Sequence, residues 1–129
     1  MNNLEKYKIF ISKKVEKFLG NLHPKIVNKF NQQIERRLRD KPNIPDNIHI
    51  KHILYDLFEL KIDNIKFYYF VFYRNVKIVE YYADGEFNPF IEIMLSSTKD
   101  RQEDTIKHLR KNYDTFYNKS ITKDKYKLI

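Results

Sequence analysis

Two histidines, two carboxylates and a run of aromatic rings are the first side chains of this 129-residue chain whose spacing suggests chemistry. His49 and His52 lie three residues apart at the start of a strand-like segment. Alternation puts such side chains on opposite faces, so they do not read as a shared metal site. His108 is a residue type that can carry protons, but on the last helix it reads as a surface side chain. Pro45-Asp46 followed by Glu59-Leu60-Lys61 offers two carboxylates for Mg²⁺ and a lysine to assist an attacking water. In that string Asp46 sits in a Pro- and Asn-rich loop and the next element is a strand. The aromatic run from Phe67 to Tyr73 has rings that could stack on bases, although alternation commits half of it to a core. There is no cysteine and no Gly-rich loop to cradle a phosphate. No metal or cofactor is therefore expected.

The elements that must position these groups follow from patterning. Residues 7–12 alternate around Ile9 and Ile11 as a first strand, and Ser12 is an N-cap for a helix with Val15, Phe18, Leu19 and Leu22 on one face. Gly20 reads as its C-cap. His23-Pro24 opens a second helix with the stripe Ile26, Val27, Phe30, Ile34 and Leu38. Residues 41–47 are a loop. Residues 48–63 read as one strand, with Phe58, Leu60 and Ile62 inward and Glu59, Lys61 and Asp63 wet. Residues 65–73 are apolar on both faces, as a central strand would be. Arg74-Asn75 reads as a turn, 76–82 as another strand, 83–90 as a loop and 91–95 as a possible extension of the sheet. Asp100 with Glu103 forms a capping-box pair for a last helix carrying Ile106, Leu109, Tyr113, Phe116 and Tyr117. The predicted fold is α+β: an N-terminal strand and αα-hairpin packed on one face of a three- to four-stranded antiparallel sheet, with a C-terminal helix. The other sheet face stays partly wet and is the natural place for a site. One domain spans 1–117, and 118–129 read as a polar, flexible tail.

Composition sets the class. Aromatics are 16% and charged residues 33%, with two Gly and four Pro, which suits a globular domain of mostly regular structure. No run of about 18 apolar residues exists, so the expected location is the cytoplasm. The formal net charge is +8, which favours polyanions through phosphate contacts. Residues 1–41 carry 11 Lys/Arg against 4 Asp/Glu, residues 42–98 carry 5 against 8, and residues 99–129 carry 9 against 5. The cationic excess therefore sits at the two ends of the chain. An equally plain reading of it is a solvated, Lys-rich surface.

The order strand, two helices, meander and helix resembles the RelE/ParE/HigB superfamily of toxin–antitoxin toxins. The stretch LFELKIDNIKFYYFVF, residues 57–72, is similar to that family's second and third sheet strands. STKDRQEDTIKHLRKNYDTF, residues 97–116, is similar to the basic linker and final helix of the HigB-like branch. The resemblance implies a metal-independent mRNA endonuclease, acting on the ribosome and blocked by a cognate antitoxin. It places Lys61 at a basic position of the second strand and Lys99 and Arg101 in the basic linker, where they would stabilise the phosphorane. Tyr69, standing where the family has Arg, would orient or deprotonate the nucleophile. Lys66, Arg74, Lys77, Arg110 and Lys111 are the expected RNA contacts, and Tyr113 and Phe116 the antitoxin contacts. Ser96-Ser97 replaces the Lys-Lys pair that usually leaves the last strand. That departure favours an alternative, a non-enzymatic binding module of the same fold such as a ParE-like gyrase inhibitor. The Asp46/Glu59/Lys61 string keeps a metal-dependent PD-(D/E)xK-type nuclease as a second alternative.

Overall fold

The computed structural model describes residues 7–39, 49–62, 69–76, 90–118 and 126–129. Its architecture is α+β: six strands in one sheet, with helices on both of its faces. Lys8–Ser12 form β1, which buries Ile9 and Ile11 on one side. Ser12 caps α1, Lys13–Gly20, by accepting from the Val15 amide at 3.2 Å. Gly20 is the last helical residue and Asn21 takes the C-cap position, so Gly20 is not the expected capping glycine. His23 caps α2, Pro24–Gln33, through its Nδ1, which accepts from the Lys25 amide at 3.1 Å. The helix runs on as a π turn over Ile34–Leu38, in which the Arg39 amide reaches back to the Ile34 carbonyl. The wider turn keeps both Ile34 and Leu38 buried.

The sheet order is β2-β3-β4-β5-β1-β6. The strands are β2 Ile50–Leu54, β3 Leu57–Lys61, β4 Tyr69–Val76, β5 Phe90–Thr98 and β6 Tyr126–Leu128. Among the described residues only the β1–β5 pair is parallel. Several expectations are corrected. The sheet has six strands rather than three or four, and the N-terminal strand lies inside it. Residues 48–63 are not one strand but the β2–β3 hairpin, turning at Tyr55-Asp56 with Tyr55 at φ +51°. Arg74-Asn75 is not a turn: β4 runs through it, because both residues pair with β5. Residues 77–82 lie outside the described residues. Tyr126–Leu128, within the segment read as a flexible tail, pair with β1, and the Ile129 amide donates to the Ile9 carbonyl at 2.8 Å.

Both sheet faces carry core. On the first, Ile9, Ile11, Phe58, Leu60, Val71, Tyr73, Ile91 and Ile93 pack under α1 and α2. On the second, Leu57, Phe70, Phe72 and Met94 pack under Leu109 of α3, Gln102–Lys111. The second face is therefore roofed, not wet: four large apolar side chains on it require a cover. Lys99–Arg101 form a 3-10 turn leading into α3, and Arg101 before the helix makes no side-chain cap, so the expected capping box does not form. After Asn112 the chain continues as α4, Tyr113–Asn118.

Candidate functional site

Pairing across the sheet decides which side chains meet. Lys61 on β3 lies opposite Phe70 on β4, and Phe70 lies opposite Ser97 on β5. Cross-strand partners share a face, so all three belong to the second face. The 3-10 turn then brings Lys99 over the same ring, with its Nζ 5.9 Å from the Phe70 centroid. Lys61 and Lys99 are thus both neighbours of one buried phenyl ring, Lys61 by strand pairing and Lys99 by its ammonium. Two residues before Lys61, and on the same face, Glu59 is only 3% exposed. Its Oε2 accepts from the Gln102 side-chain amide at 2.8 Å. Ser97 is 4% exposed, and its Oγ has no hydrogen-bond partner among the described residues. A corner with two cations, a buried carboxylate and a hydroxyl can bind a phosphate and accept a proton from a group beside it.

The other end of the same face is an internal ion network. Arg74 is 3% exposed and donates to Asp56 Oδ2 through Nε and to Glu92 Oε1 through Nη1, both at 3.3 Å. Glu92 is fully buried. The Tyr113 hydroxyl donates to Asp56 Oδ1, and the Tyr113 ring leans on the Tyr55 ring at 5.1 Å. These contacts fasten the start of α4 to the β2–β3 turn, as Gln102 fastens the start of α3 to β3.

Of the residues marked by sequence, Lys61 and Lys99 are brought together and Tyr69 is not. Tyr69 precedes Phe70 on its strand, so its ring lies on the first face and meets Phe18 edge-on at 6.0 Å. Arg74 is buried in ion pairs and cannot reach an RNA from there. Tyr113 is half-buried and occupied by Asp56, which leaves little of it for an antitoxin. Arg101, Arg110 and Lys111 are exposed on the 3-10 turn and α3. Lys66, Lys77, Asp46 and the side chain of Phe116 lie outside the described residues. Among the described residues no three metal-ligating side chains gather. His52 Nε2 lies 2.7 Å from the Tyr55 carbonyl oxygen, bracing the turn. Sequence reading missed Glu59, Ser97 and Gln102 as parts of the corner. Glu59 and Ser97 are two strands apart, and only the register joins them.

No helix among the described residues is long and apolar enough to cross a membrane. Comparisons with protein-family models, with curated proteins and with solved structures return no match.

Proposed function

We propose that the chain is a toxin of a toxin–antitoxin pair that cleaves mRNA without a metal, with the Lys61/Lys99 corner as its active site. The observation that carries this reading is the placement of Lys61 and Lys99 beside Phe70, with the Glu59 carboxylate on the same face. The two lysines stabilise charge building on phosphorus. Glu59, in place of Tyr69, takes the proton from the ribose 2′-hydroxyl, which attacks the adjacent phosphate and expels the 5′-oxygen. The products are a 2′,3′-cyclic phosphate and a 5′-hydroxyl end. The resemblance and the net charge also support this reading. The expected partners are a cognate antitoxin, mRNA and the ribosome.

The test is cleavage of mRNA by the purified protein, with ribosomes and in EDTA. Lys61→Ala, Lys99→Ala and Glu59→Gln should each slow it roughly 10- to 1000-fold, and deoxyribose at the scissile position should abolish it. A requirement for Mg²⁺ would revive the PD-(D/E)xK-type alternative. One observation favours a non-enzymatic module: Glu59 and Arg74 are both held in internal contacts. Growth arrest with intact mRNA and stalled gyrase would establish that second reading.

A further inference from the structure

The helical layer on the first face is strongly cationic. Residues 7–39 hold nine Lys/Arg against two acids, Glu16 and Glu35. Each acid already has a cation. Glu16 pairs with Lys127 at 3.0 Å, and Glu35 pairs with Arg39 at 3.0 Å. Lys13, Lys14, Lys17, Lys25 and Arg36 are all exposed, and none forms an ion pair with a described residue. Packing explains their common direction. Val15 and Leu19 turn one side of α1 to the sheet, and Ile26 and Phe30 do the same for α2. Lys13 and Lys17 are one turn apart on the outer side of α1. The outer side of α2 carries Lys25, with Arg36 on the π turn beyond it and Asn28 and Gln32, both exposed, between them.

A Lys-rich composition alone would spread cations over the whole surface. Among the described residues it does not do so: residues 99–118, on the opposite side of the sheet, carry five Lys/Arg against four acids. We propose that the outer surface of α1, α2 and the π turn docks on the phosphate backbone of a folded, double-helical RNA. Cations spaced by helical turns and interleaved with amide side chains suit phosphate and sugar contacts, which position a protein without reading sequence. A membrane surface fits less well. Docking there uses apolar side chains beside the cations, and the exposed large hydrophobic residues among those described, Tyr55 and Leu128, lie in neither helix. The surface lies on the opposite sheet face from Lys61 and Lys99, so one RNA can be held there while another strand reaches the corner. The choice of RNA rests on the reading proposed above; the cationic surface does not.

The experiment measures binding of the full chain to a fluorescent 20-base-pair RNA duplex across a salt series. The Lys13→Gln/Lys17→Gln protein is compared with Lys51→Gln/Lys107→Gln, which removes two exposed cations from the other side of the sheet. Wild type should bind with a steep negative salt slope. The helix-layer pair should lower that slope by about two and weaken binding roughly tenfold at 0.15 M salt. The control pair should change both much less, with unaltered circular dichroism in each variant. Equal losses in the two variants would overturn the proposal, since net charge alone would explain them. So would a wild type that ignores the duplex, or that binds vesicles of phosphatidylcholine with 30% phosphatidylserine in its place. Tighter binding to a DNA duplex of the same length would overturn the choice of polymer. Duplex binding without any mRNA cleavage would remove the nuclease reading and leave this surface standing.

Discussion

Glu92 is completely enclosed beside Arg74, and each side chain makes the burial of the other tolerable. Removing one partner strands the other charge in an apolar sheet. Arg74→Met should therefore cost about 3–5 kcal/mol. The double variant Arg74→Met/Glu92→Leu should recover most of that loss, because well-packed apolar groups replace a buried pair at little cost. Urea denaturation of the two single variants and the double variant reads the coupling directly; additive losses would mean that the pair is not a unit. Ser97 gives the opposite expectation. Its hydroxyl is buried without a partner among the described residues, so Ser97→Ala should hold stability level or raise it by up to about 1 kcal/mol. At this scale the sequence was legible only in part. Lys61 and Lys99 were marked through the resemblance, and both turn out to neighbour Phe70. Tyr69, marked the same way, lies on the opposite face from both, because alternation turns consecutive side chains to opposite sides. Arg74 read as a surface cation because its partners, Asp56 and Glu92, each lie 18 residues away and become neighbours only through strand pairing.

Among the elements, the join between β1 and α1 shows how one side chain serves two structures. Ser12 caps the helix, and its Oγ also donates to the Met94 carbonyl at 2.8 Å. Met94 sits where the β4–β5 register shifts, so that carbonyl lies outside the regular ladder. Ser12→Ala should cost about 1–2 kcal/mol, more than a lone cap, while Ser12→Thr should keep much of it; thermal denaturation distinguishes the two. On the second face, Leu109→Ala should cost about 2–5 kcal/mol. It should also raise hydrogen exchange in α3 before the rest of the sheet, since Leu109 is the fully buried anchor of that helix. Uniform exchange across the domain would show that α3 does not open by itself. The helices and the central strand were readable because their apolar periods are long and clean. The β2–β3 turn was hidden, because Leu54-Tyr55-Asp56-Leu57 contains no Gly, Asn or Pro, and Tyr55 takes a positive φ while leaving its ring 72% exposed. The roof on the second face was foreshadowed by the two-sided apolar pattern of residues 69–73. A strand of that kind needs cover above and below.

For the whole molecule, the pairing of β1 with β5 sets the folding problem. Ser12 and Met94 are 82 residues apart in sequence, yet they hydrogen-bond. The loop must close before that pair contributes anything, so most of the entropic cost comes early. Refolding should take on the order of milliseconds to seconds, slower than a helical bundle of this size. Stopped-flow fluorescence of the tyrosines measures it. Relaxation within tens of microseconds would mean that this long-range pair forms outside the rate-limiting step.

That same pair has a consequence for the chain as it leaves the ribosome. β1 and the two helices emerge before the strands they cover, and their apolar stripe has no complete sheet to rest on until β5 has been made. At about 5–20 residues per second, that wait is on the order of ten seconds. Through it, Ile26, Phe30, Ile34 and Leu38 are available to any passing apolar surface. A nascent chain of this design is one that a holding chaperone would bind early and release only after the fifth strand has been delivered.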